Sequence, residues 1–392
     1  MRTITAAKLW DGNTLHDNPV LSIEDGRIAS IASGTTSNTG GTGTAKGEHD
    51  FPAATLAPAF FDVHIHGSAG HDVMEATPEA LSAVGRFLAS RGTGSYLATT
   101  VTAPLDMTLR ALEGLARLID HPDSIPSKGP TTKPIGIHLE GPFLSHAKCG
   151  VQPKEHLLAP DIATFDRLYE AAGGHARLMT LAPELPGAIE LAAHATGRGV
   201  RVSVGHSDAT AAETRAALAA GAASATHTFN AMRALDHREP GILGVVLTTD
   251  SVYSELICDG IHNTPEMVKL WWRAKGADRA ILVTDAMSAA GMPDGEYTLG
   301  GFAVQVANGR AMARGVLAGS VLTLDRALAN LTQFTGAPLD QALRLLTANP
   351  AAMTGFADRA GSIQVGQPAN LVAVDAQGKL VASFIEGRLA AA

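Results

Sequence analysis

Histidine and carboxylate side chains that could bind a metal recur along this chain of 392 residues, each after an apolar, β-rich run and before a loop. Imidazole and carboxylate groups are the ligands that a hydrolytic metal of the Zn²⁺ type prefers. Such a metal lowers the pKa of a bound water to about 7 and polarises a carbonyl group. The pattern therefore predicts a metal-dependent hydrolase. The candidate ligands are His64, His66, Glu140, His206, His227 and Asp285.

His64 and His66, in the segment FDVHIHG, are two residues apart on a predicted strand. The two-residue period of a strand places both rings on one face, here the interior of a barrel. Each buried ring needs a partner for its polar nitrogens, which either a hydrogen bond or a metal would supply. Because further candidate metal ligands follow other strands, we favour a metal over a hydrogen bond as the partner of these two rings.

Glu140, in HLEGP, forms a second ligand set with two later histidines. A buried carboxylate needs a cation, either a metal or a basic side chain, and its strand contains no Lys or Arg. His206 and His227 end neighbouring strands, where a single histidine would more often be a core residue. Three protein ligands with an open fourth position are the pattern of catalytic zinc.

Asp285 ends the eighth predicted strand, where it could accept a proton from water and pass it to a leaving amine, or simply cap the next turn. His262, in CDGIHNTP, faces the same mouth and could donate to an oxyanion, unless it is an exposed loop residue. His138 points to the same side as Glu140 and could orient that ligand or contact the substrate. Asp62 is a candidate partner for the first histidine.

The segment 229–241, FNAMRALDHREPG, directly follows one candidate ligand. Asn230, the backbone N–H of Ala231 and Arg238 together suit an anion such as phosphate. Arg238 could instead form a surface salt bridge. Cys149, on the long loop after the third strand, is either a lid residue near the substrate or a passive thiol.

From residue 58 onwards, the sequence alternates strands with helices, which predicts a (β/α)8 TIM barrel with its active site at the carboxyl ends of the strands. Helices are predicted between the strands and again at 322–336 and 339–355. An inserted hairpin is predicted at 295–320. The eight strand candidates are 57–67, 94–101, 134–141, 177–184, 200–207, 224–231, 253–260 and 280–287.

The two ends of the chain, 1–57 and 356–392, alternate apolar and polar residues like strands. We expect them to form one small β-sandwich domain, interrupted in sequence by the barrel domain at 58–355. Within the first end, the Gly/Thr-rich stretch 34–50 is predicted to be a loop.

Composition excludes several classes of protein. The chain is 45% hydrophobic and 17% charged, which is typical of a globular protein. Its net charge of −8 argues against a nucleic-acid partner. No stretch approaches the roughly 20 apolar residues that a membrane span needs. An N-terminus without an apolar signal core, and only two cysteines, predict a cytoplasmic protein.

The motifs recur in the order found in N-acetylglucosamine-6-phosphate deacetylases, a family of the amidohydrolase superfamily that this chain resembles. The combination of HLEGPF, THTFNAM and DGIH is far more specific than the HxH pair that many amidohydrolases share. The resemblance spans about residues 57 to 352. Its matching segments are PAFFDVHIHG, GIHLEGPF, VGHSDA, THTFNAM, HREPG, ICDGIH, LVTDAMSAAG and LTANPA.

The resemblance implies hydrolysis of N-acetyl-D-glucosamine 6-phosphate to D-glucosamine 6-phosphate and acetate, in amino-sugar catabolism or cell-wall recycling. By matching motifs, Asp285 is the general base and then the general acid, and His262 supports the substrate carbonyl and the sugar. The principal metal ligands are Glu140, His206 and His227. The phosphate contacts are Asn230, Ala231 and Arg238, the arginine coming from the partner subunit of a homodimer.

Some relatives lack the HxH histidines and use one metal, whereas this chain keeps His64 and His66. A second metal, bridged through Glu140 and Asp285, is therefore expected to be possible. Zn²⁺ is the default ion, with Fe²⁺, Mn²⁺ and Co²⁺ as alternatives. The fourth strand suggests no carboxylated lysine, which argues against the dihydroorotase-like and urease-like branches. Cys149 in the lid loop is similar to actinobacterial members and departs from many others, and it is kept among the candidate substrate-binding residues.

Two alternatives remain at this stage. The first is an amidohydrolase for another N-acyl substrate, such as N-acetylgalactosamine 6-phosphate or an N-acetylated amino acid. The second is a scaffold that has lost catalysis and acts through protein partners. The presence of all six candidate ligands disfavours the second alternative.

Overall fold

A parallel sheet of eight strands forms the centre of the protein in a computed structural model that describes residues 2–33 and 48–391. Each strand pairs with the next along the chain, and the backbone N–H of Asp285 donates to the carbonyl of His64 between the last and first strands. This is the predicted barrel. Its strands are Phe60–Ile65, Thr93–Thr100, Pro134–Glu140, Ala176–Leu181, Arg201–Val204, Ala222–Ala225, Tyr253–Ile257 and Ala280–Val283.

Helices cover the outside of the barrel. Every segment predicted to be helical contains a helix, although 339–355 forms two short helices and not one. One helix, Gly241–Thr248, was missed because its sequence GILGVVLT is apolar on all sides and so lacks an amphipathic period. No helix in the described part of the chain is both long and apolar enough to cross a membrane. The helices are Pro78–Ser90, Leu105–Asp120, Ile162–Ala171, Ala188–Gly197, Ala211–Ala219, Gly241–Thr248, Pro265–Arg279, Leu324–Thr335, Leu339–Arg344 and Ala348–Thr354.

Both ends of the chain contribute to a second sheet, which confirms a small β domain built from the two termini. Its central strand, His49–Pro58, pairs in parallel with Arg2–Trp10 and antiparallel with Leu371–Val374. The core of this domain includes the fully buried side chains of Ile4 and Phe384. The strands are Arg2–Trp10, Leu15–Asp17, Pro19–Glu24, Arg27–Ser33, His49–Pro58, Leu371–Val374, Leu380–Ile385 and Arg388–Ala391.

The strand His49–Pro58 leads directly into the barrel, and the helix Ala348–Thr354 is the last one before the chain returns to the outer sheet. The proposed domain bounds, at residues 57/58 and 355/356, are compatible with these elements and remain a proposal. The predicted loop at 34–50 lies mostly outside the described residues.

The insertion at 295–320 was predicted as a hairpin, and this was wrong. It forms a four-stranded antiparallel sheet, because the chain turns twice more, at Asn308-Gly309 and at Arg314-Gly315, all four residues having positive φ. A ribbon of two short strands, Gly67–Ser68 and His71–Asp72, follows the first barrel strand. The strands of the insertion are Gly295–Leu299, Phe302–Ala307, Arg310–Ala313 and Val316–Leu317.

Gly205 lies where the barrel interior is most crowded, one residue before the candidate ligand His206. A Cβ at this position would lie 2.8 Å from Cβ of Thr226 and 3.1 Å from Cγ2 of Thr180. The threonines belong to the neighbouring barrel strands, so they cannot move without displacing backbone. A side chain of any size here would therefore disturb the strand ends that carry the candidate ligands.

We expect Gly205→Ala to lower the free energy of unfolding by about 1–3 kcal/mol, because overpacking a closed core forces side chains and backbone apart. Urea unfolding of the purified protein measures the change. Gly197→Ala is the matched control: it lies in a helix with no atom within 4 Å of the added Cβ, so stability should stay equal or rise. Equal stability of Gly205→Ala and the wild type would contradict the crowding argument.

Candidate active site

The candidate ligands converge at the carboxyl ends of barrel strands one, three, five, six and eight, and all six are buried. They form two groups, and within each group the ligand atoms lie within 4.8 Å of one another. One group comes from the first and last strands, and the other from strands three, five and six. The groups are His64, His66 and Asp285, and Glu140, His206 and His227.

Backbone geometry turns three of these side chains into the barrel mouth. His206, His227 and Asp285 each lie two residues beyond the end of a strand, and each has a positive φ, of 45°, 29° and 49° respectively. Non-glycine residues rarely adopt this conformation, and such strain concentrates at functional sites. The fold thus maintains an unfavourable backbone conformation to direct three donors at one point.

Glu140 lies at the centre of the cluster. Its Oε1 atom is 3.2 Å from Nε2 of His206 and 3.1 Å from Nε2 of His227. Its Oε2 atom is 3.2 Å from Nε2 of His66. The Nε2 atoms of His206 and His227 are themselves only 3.1 Å apart. Two imidazole nitrogens and a carboxylate oxygen therefore meet within one small volume.

Hydrogen bonds to Nδ1, on the side of each ring away from Glu140, determine which ring nitrogen is available to bind a metal. Nδ1 of His206 lies 3.0 Å from the Lys148 carbonyl, and Nδ1 of His66 lies 3.0 Å from the Thr99 carbonyl. Since a carbonyl only accepts, both Nδ1 atoms carry a proton, and Nε2 is the ring atom that each histidine has left to bind a metal beside Glu140. Lone pairs that face a carboxylate require a cation between them, so this donor set fits a divalent metal.

His64 supports the same conclusion. Its Nε2 atom is buried without a hydrogen-bond partner, although Glu140 Oε1 lies 3.4 Å away and Asp285 Oδ1 lies 3.5 Å away. Burial alone would lower the pKa of His66, but its hydrogen bonds to Asp285 and Glu140 outweigh burial and raise that pKa to about 9. In the metal-free site, protons thus supply the positive charge that a metal would supply, and metal binding would release them.

Two residues that sequence reasoning missed contact the ligands. Glu255, fully buried on strand seven, places Oε2 3.4 Å from Nδ1 of His64, and Gln152 donates from Nε2 to Glu140 Oε2 at 2.8 Å. The backbone N–H of Thr102 in turn donates to Gln152 Oε1 at 2.8 Å. A carboxylate within the apolar strand YSELI was a signal for Glu255, whereas nothing in the loop sequence indicated Gln152.

Asp62 and His138 lie below the cluster. Asp62 accepts from the backbone N–H of His64 at 3.2 Å and from the Thr284 hydroxyl at 2.6 Å, so it orients the main chain and not a ring. Burial raises the pKa of Asp62 to about 7. His138 packs edge to face on His64, with ring centroids 4.7 Å apart, and its Nε2 lies 2.8 Å from the Thr180 hydroxyl. It supports the ligand layer from below and does not line the cavity above it.

A cavity of about 260 Å³ opens above the cluster. The inserted sheet closes one side of it through Leu299, Val316 and Leu317. The predicted residues that line the cavity are His66, Glu140, His206, His227, Asn230, Ala231, His262 and Asp285. The structure therefore brings the candidate ligands and three of the predicted substrate contacts to one concave site.

His262 enters this cavity with a carboxylate behind it. Its Nδ1 atom lies 2.7 Å from Oδ2 of Asp259, and the backbone N–H groups of Ile261 and His262 donate to Asp259 Oδ1 at 2.8 Å. Burial opposes ionisation of Asp259, but these hydrogen bonds hold its pKa below the usual value. The carboxylate accepts the proton of Nδ1, so the ring is held in one orientation. Asp259 was not among the predicted site residues.

Cys149 and Arg238 do not line this cavity. Cys149 packs in a buried apolar cluster with Leu144 and Leu157, and its neighbour Gly150 lines the cavity instead. The expectation that the thiol lies near the substrate is therefore not met, because its loop directs it into the core. Arg238 is exposed on the loop that follows the sixth strand.

The chain is similar in sequence to known proteins of one family. The sequence model of the amidohydrolase family matches residues 55–390. The N-acetylgalactosamine-6-phosphate deacetylase of Escherichia coli O157:H7 is 39% identical over 375 residues, which are 95% of each chain. The N-acetylglucosamine-6-phosphate deacetylase of Bacillus subtilis (strain 168) is 36% identical over 380 residues, which are 96% of this chain and 94% of the relative.

A solved structure is similar over nearly its whole length. The crystal structure of N-acetyl-D-glucosamine-6-phosphate deacetylase from Mycobacterium smegmatis superposes with a TM-score of 0.89 at 32% sequence identity. It covers 99% of this chain and 100% of its own. The likeness therefore includes the outer sheet as well as the barrel.

We expect Glu255→Gln to weaken binding of the metal by about 10- to 100-fold, because the amide cannot hold the proton on Nδ1 of His64 as a carboxylate does. Competition with a chromophoric chelator measures the affinity. Glu170→Gln, which neutralises an exposed carboxylate on a barrel helix, is the control and should bind metal like the wild type. An affinity of Glu255→Gln equal to that of this control would show that the Glu255 contact does not act on the metal site.

Proposed function

The chain belongs to the amidohydrolase family, and from this premise we propose that it hydrolyses N-acetyl-D-glucosamine 6-phosphate to D-glucosamine 6-phosphate and acetate. One observation carries the proposal: members of both buried ligand groups, the His262 ring and the Asn230–Ala231 segment line one cavity of about 260 Å³. The names of the bacterial and mammalian relatives, which are 34–39% identical to this chain, support the substrate class.

A bound divalent metal, held by Glu140, His206 and His227, supplies Lewis acidity that lowers the pKa of water and polarises the acetyl carbonyl. We propose Zn²⁺ as the ion, because histidine and carboxylate ligands suit it. Oε1 of Glu140 lies near His206 and His227 while Oε2 lies near His66, and the second group, His64, His66 and Asp285, would hold a second metal.

Asp285 performs the proton transfers. Burial opposes ionisation of its carboxyl group, but the positive charges of His64 and His66 lower its pKa, so it enters the reaction as a base. It accepts a proton from water as the water oxygen bonds to the acetyl carbon. It then gives this proton to the sugar nitrogen as the C–N bond breaks, which releases the amine and acetic acid and restores the carboxylate. The acid loses the remaining proton of the water to solvent and leaves as acetate.

His262 stabilises the charge that develops on the acetyl oxygen. Since Asp259 accepts from Nδ1 at 2.7 Å, Nε2 is the ring atom left to contact the substrate oxygen in the cavity. The same pair orients the sugar, because the ring is fixed by its carboxylate and cannot rotate freely. Asp259 thus acts through His262 as a positioning residue.

The phosphate end of the site supports a homodimer. Among the described residues that line the cavity, none is Lys or Arg, although a phosphate dianion needs a cation in a chain of net charge −8. Arg238 is exposed on the loop that begins at Asn230 and Ala231, and the neighbouring Leu235 is 52% exposed. We infer that Arg238 completes the phosphate site of the partner subunit.

N-Acetylgalactosamine 6-phosphate is the second candidate substrate. It differs from the first only in the configuration of one ring hydroxyl, and a relative 39% identical to this chain bears the name of the galactosamine enzyme. For the compartment we propose the cytoplasm, because both cysteines are free thiols. A role in either catabolism or recycling of amino sugars is consistent with both substrates.

The metal-loaded enzyme should release acetate from N-acetylglucosamine 6-phosphate and lose this activity on chelation, with recovery when Zn²⁺ is restored. Acetate assays with both 6-phosphates and with unphosphorylated N-acetylglucosamine measure the preference. Asp285→Asn is the inactive control, since an amide cannot accept the proton. Full metal loading without turnover of either phosphorylated sugar would overturn the proposed function.

Arg238→Ala should raise KM for the phosphorylated substrate by about tenfold or more, with little change for unphosphorylated N-acetylglucosamine, because a charge-assisted contact to phosphate is lost. Steady-state kinetics on both sugars measure the effect. Arg326→Ala, at an exposed arginine on the helix Leu324–Thr335, is the control and should leave both KM values unchanged. An equal loss on the two sugars would contradict the phosphate role.

A further inference from the structure

A second cavity, of about 380 Å³, lies at the opposite end of the barrel from the candidate active site. It is bounded by the starts of strands four and five, by the turn after the helix Ala188–Gly197, and by the chain that follows the last helix. A barrel strand of four to six residues, roughly 15–20 Å long, separates the two cavities. Neither the ligand cluster nor the predicted phosphate contacts reach it.

Arginine side chains dominate this second cavity. Arg177 and Arg201 lie on adjacent strands, since Arg201 pairs in register with Leu178, and Arg359 faces them from beyond the last helix. The one carboxylate that lines the cavity, Asp358, lies 3.7 Å from Nε of Arg359. Three guanidinium groups and one carboxylate leave a surplus of positive charge in a chain whose net charge is −8.

Two donors in this cavity have no acceptor. Nε of Arg177 and Oγ1 of Thr196 are both buried, and neither has a hydrogen-bond partner in the described part of the chain. Buried donors without partners are unfavourable and rare in native proteins, so each calls for an acceptor. Both residues line the same cavity, so an oxyanion bound there would lie beside the two side chains that contain these donors.

The Arg177 side chain is also held in place. Its guanidinium carbon lies 5.6 Å from the centroid of the Phe356 ring, a stacked arrangement that fixes the direction of its N–H groups. Phe356 itself is 5% exposed and packs against Phe61 of the first barrel strand. Arg177 is therefore held against the barrel, whereas Arg201 and Arg359 are exposed at the rim of the cavity.

We propose that this cavity binds a phosphate dianion, either free or as the head of a phosphate monoester. Guanidinium groups match phosphate oxygens in geometry as well as in charge, and the threonine hydroxyl adds a further donor. A bound phosphate connects the starts of strands four and five to the segment after the last helix. Binding here stabilises that junction without contacting the catalytic residues.

Equilibrium dialysis of radiolabelled inorganic phosphate against the metal-loaded enzyme tests the proposal. Arg201→Gln should bind one phosphate fewer per subunit than the wild type, or bind it about tenfold more weakly, because a charge-assisted contact is lost. Arg326→Gln removes the same charge from an exposed helix and should bind like the wild type. Both variants should retain the wild-type kcat/KM. Equal phosphate binding by all three proteins would overturn the proposal.

Thr196→Val provides a second, independent variant. Loss of an unpartnered buried hydroxyl should leave the melting temperature in phosphate-free buffer unchanged or higher, which shows that the variant folds. Added phosphate should then raise the melting temperature of Thr196→Val less than that of the wild type, because the bound anion loses one donor. The same rise in both proteins would count against the site.

Glucosamine 6-phosphate, dialysed in the same way, distinguishes the two sources of the phosphate group. Binding that depends on Arg201 and is tighter than that of inorganic phosphate would identify a monoester ligand. Binding that depends on Arg201 and is no tighter would identify free phosphate. Either result supports the site, whereas binding of both anions that is independent of Arg201 rejects it.

Discussion

Three histidine rings approach the Glu140 carboxylate, and the geometry of the whole active site depends on this contact. Nε2 atoms of three histidines, His66, His206 and His227, lie 3.1–3.2 Å from the two oxygens of this side chain. Such an arrangement is electrostatically unstable unless protons or a metal supply positive charge. The fold imposes the arrangement through positive φ values and fixed hydrogen bonds on the far side of the rings, so binding of a cation is built into the architecture.

Support for this cluster extends one layer deeper into the barrel. Asp62 holds the backbone of the first strand against the last one through Thr284, while Glu255 reaches across the barrel to His64. Gln152 approaches Glu140 from the opposite side, on a loop above the strands. Each of these residues contacts a candidate metal ligand or its backbone, and none is itself a candidate ligand. These contacts explain how the loops at the ends of the strands can hold six ligand side chains close together.

The two ends of the barrel differ in charge. The candidate active-site cavity contains histidines and carboxylates but, among the described residues that line it, no Lys or Arg, whereas the second cavity has three arginines. On the proposed function, a phosphorylated substrate in the active-site cavity needs a cation from a partner subunit. An anion in the second cavity would be bound by the three arginines of the same chain. This contrast links the inferred dimer and the inferred second site to the same physical requirement, which is a partner for a buried charge.

Much of the molecule was predictable from the sequence because the relevant signals are local. Strand and helix periodicity predicted all eight barrel strands, and polar residues at apolar strand ends indicated the six ligands that the structure brings together. Individual side-chain contacts behind the ligands, between residues distant in the chain, were not predictable. The pairing of Glu255 with His64 spans 191 residues, and that of Gln152 with Glu140 depends on the path of a loop. The burial of Cys149, the two extra strands of the insertion and the arginine cavity were likewise decided only by tertiary packing, since side-chain neighbours across a barrel leave no periodic trace in the sequence.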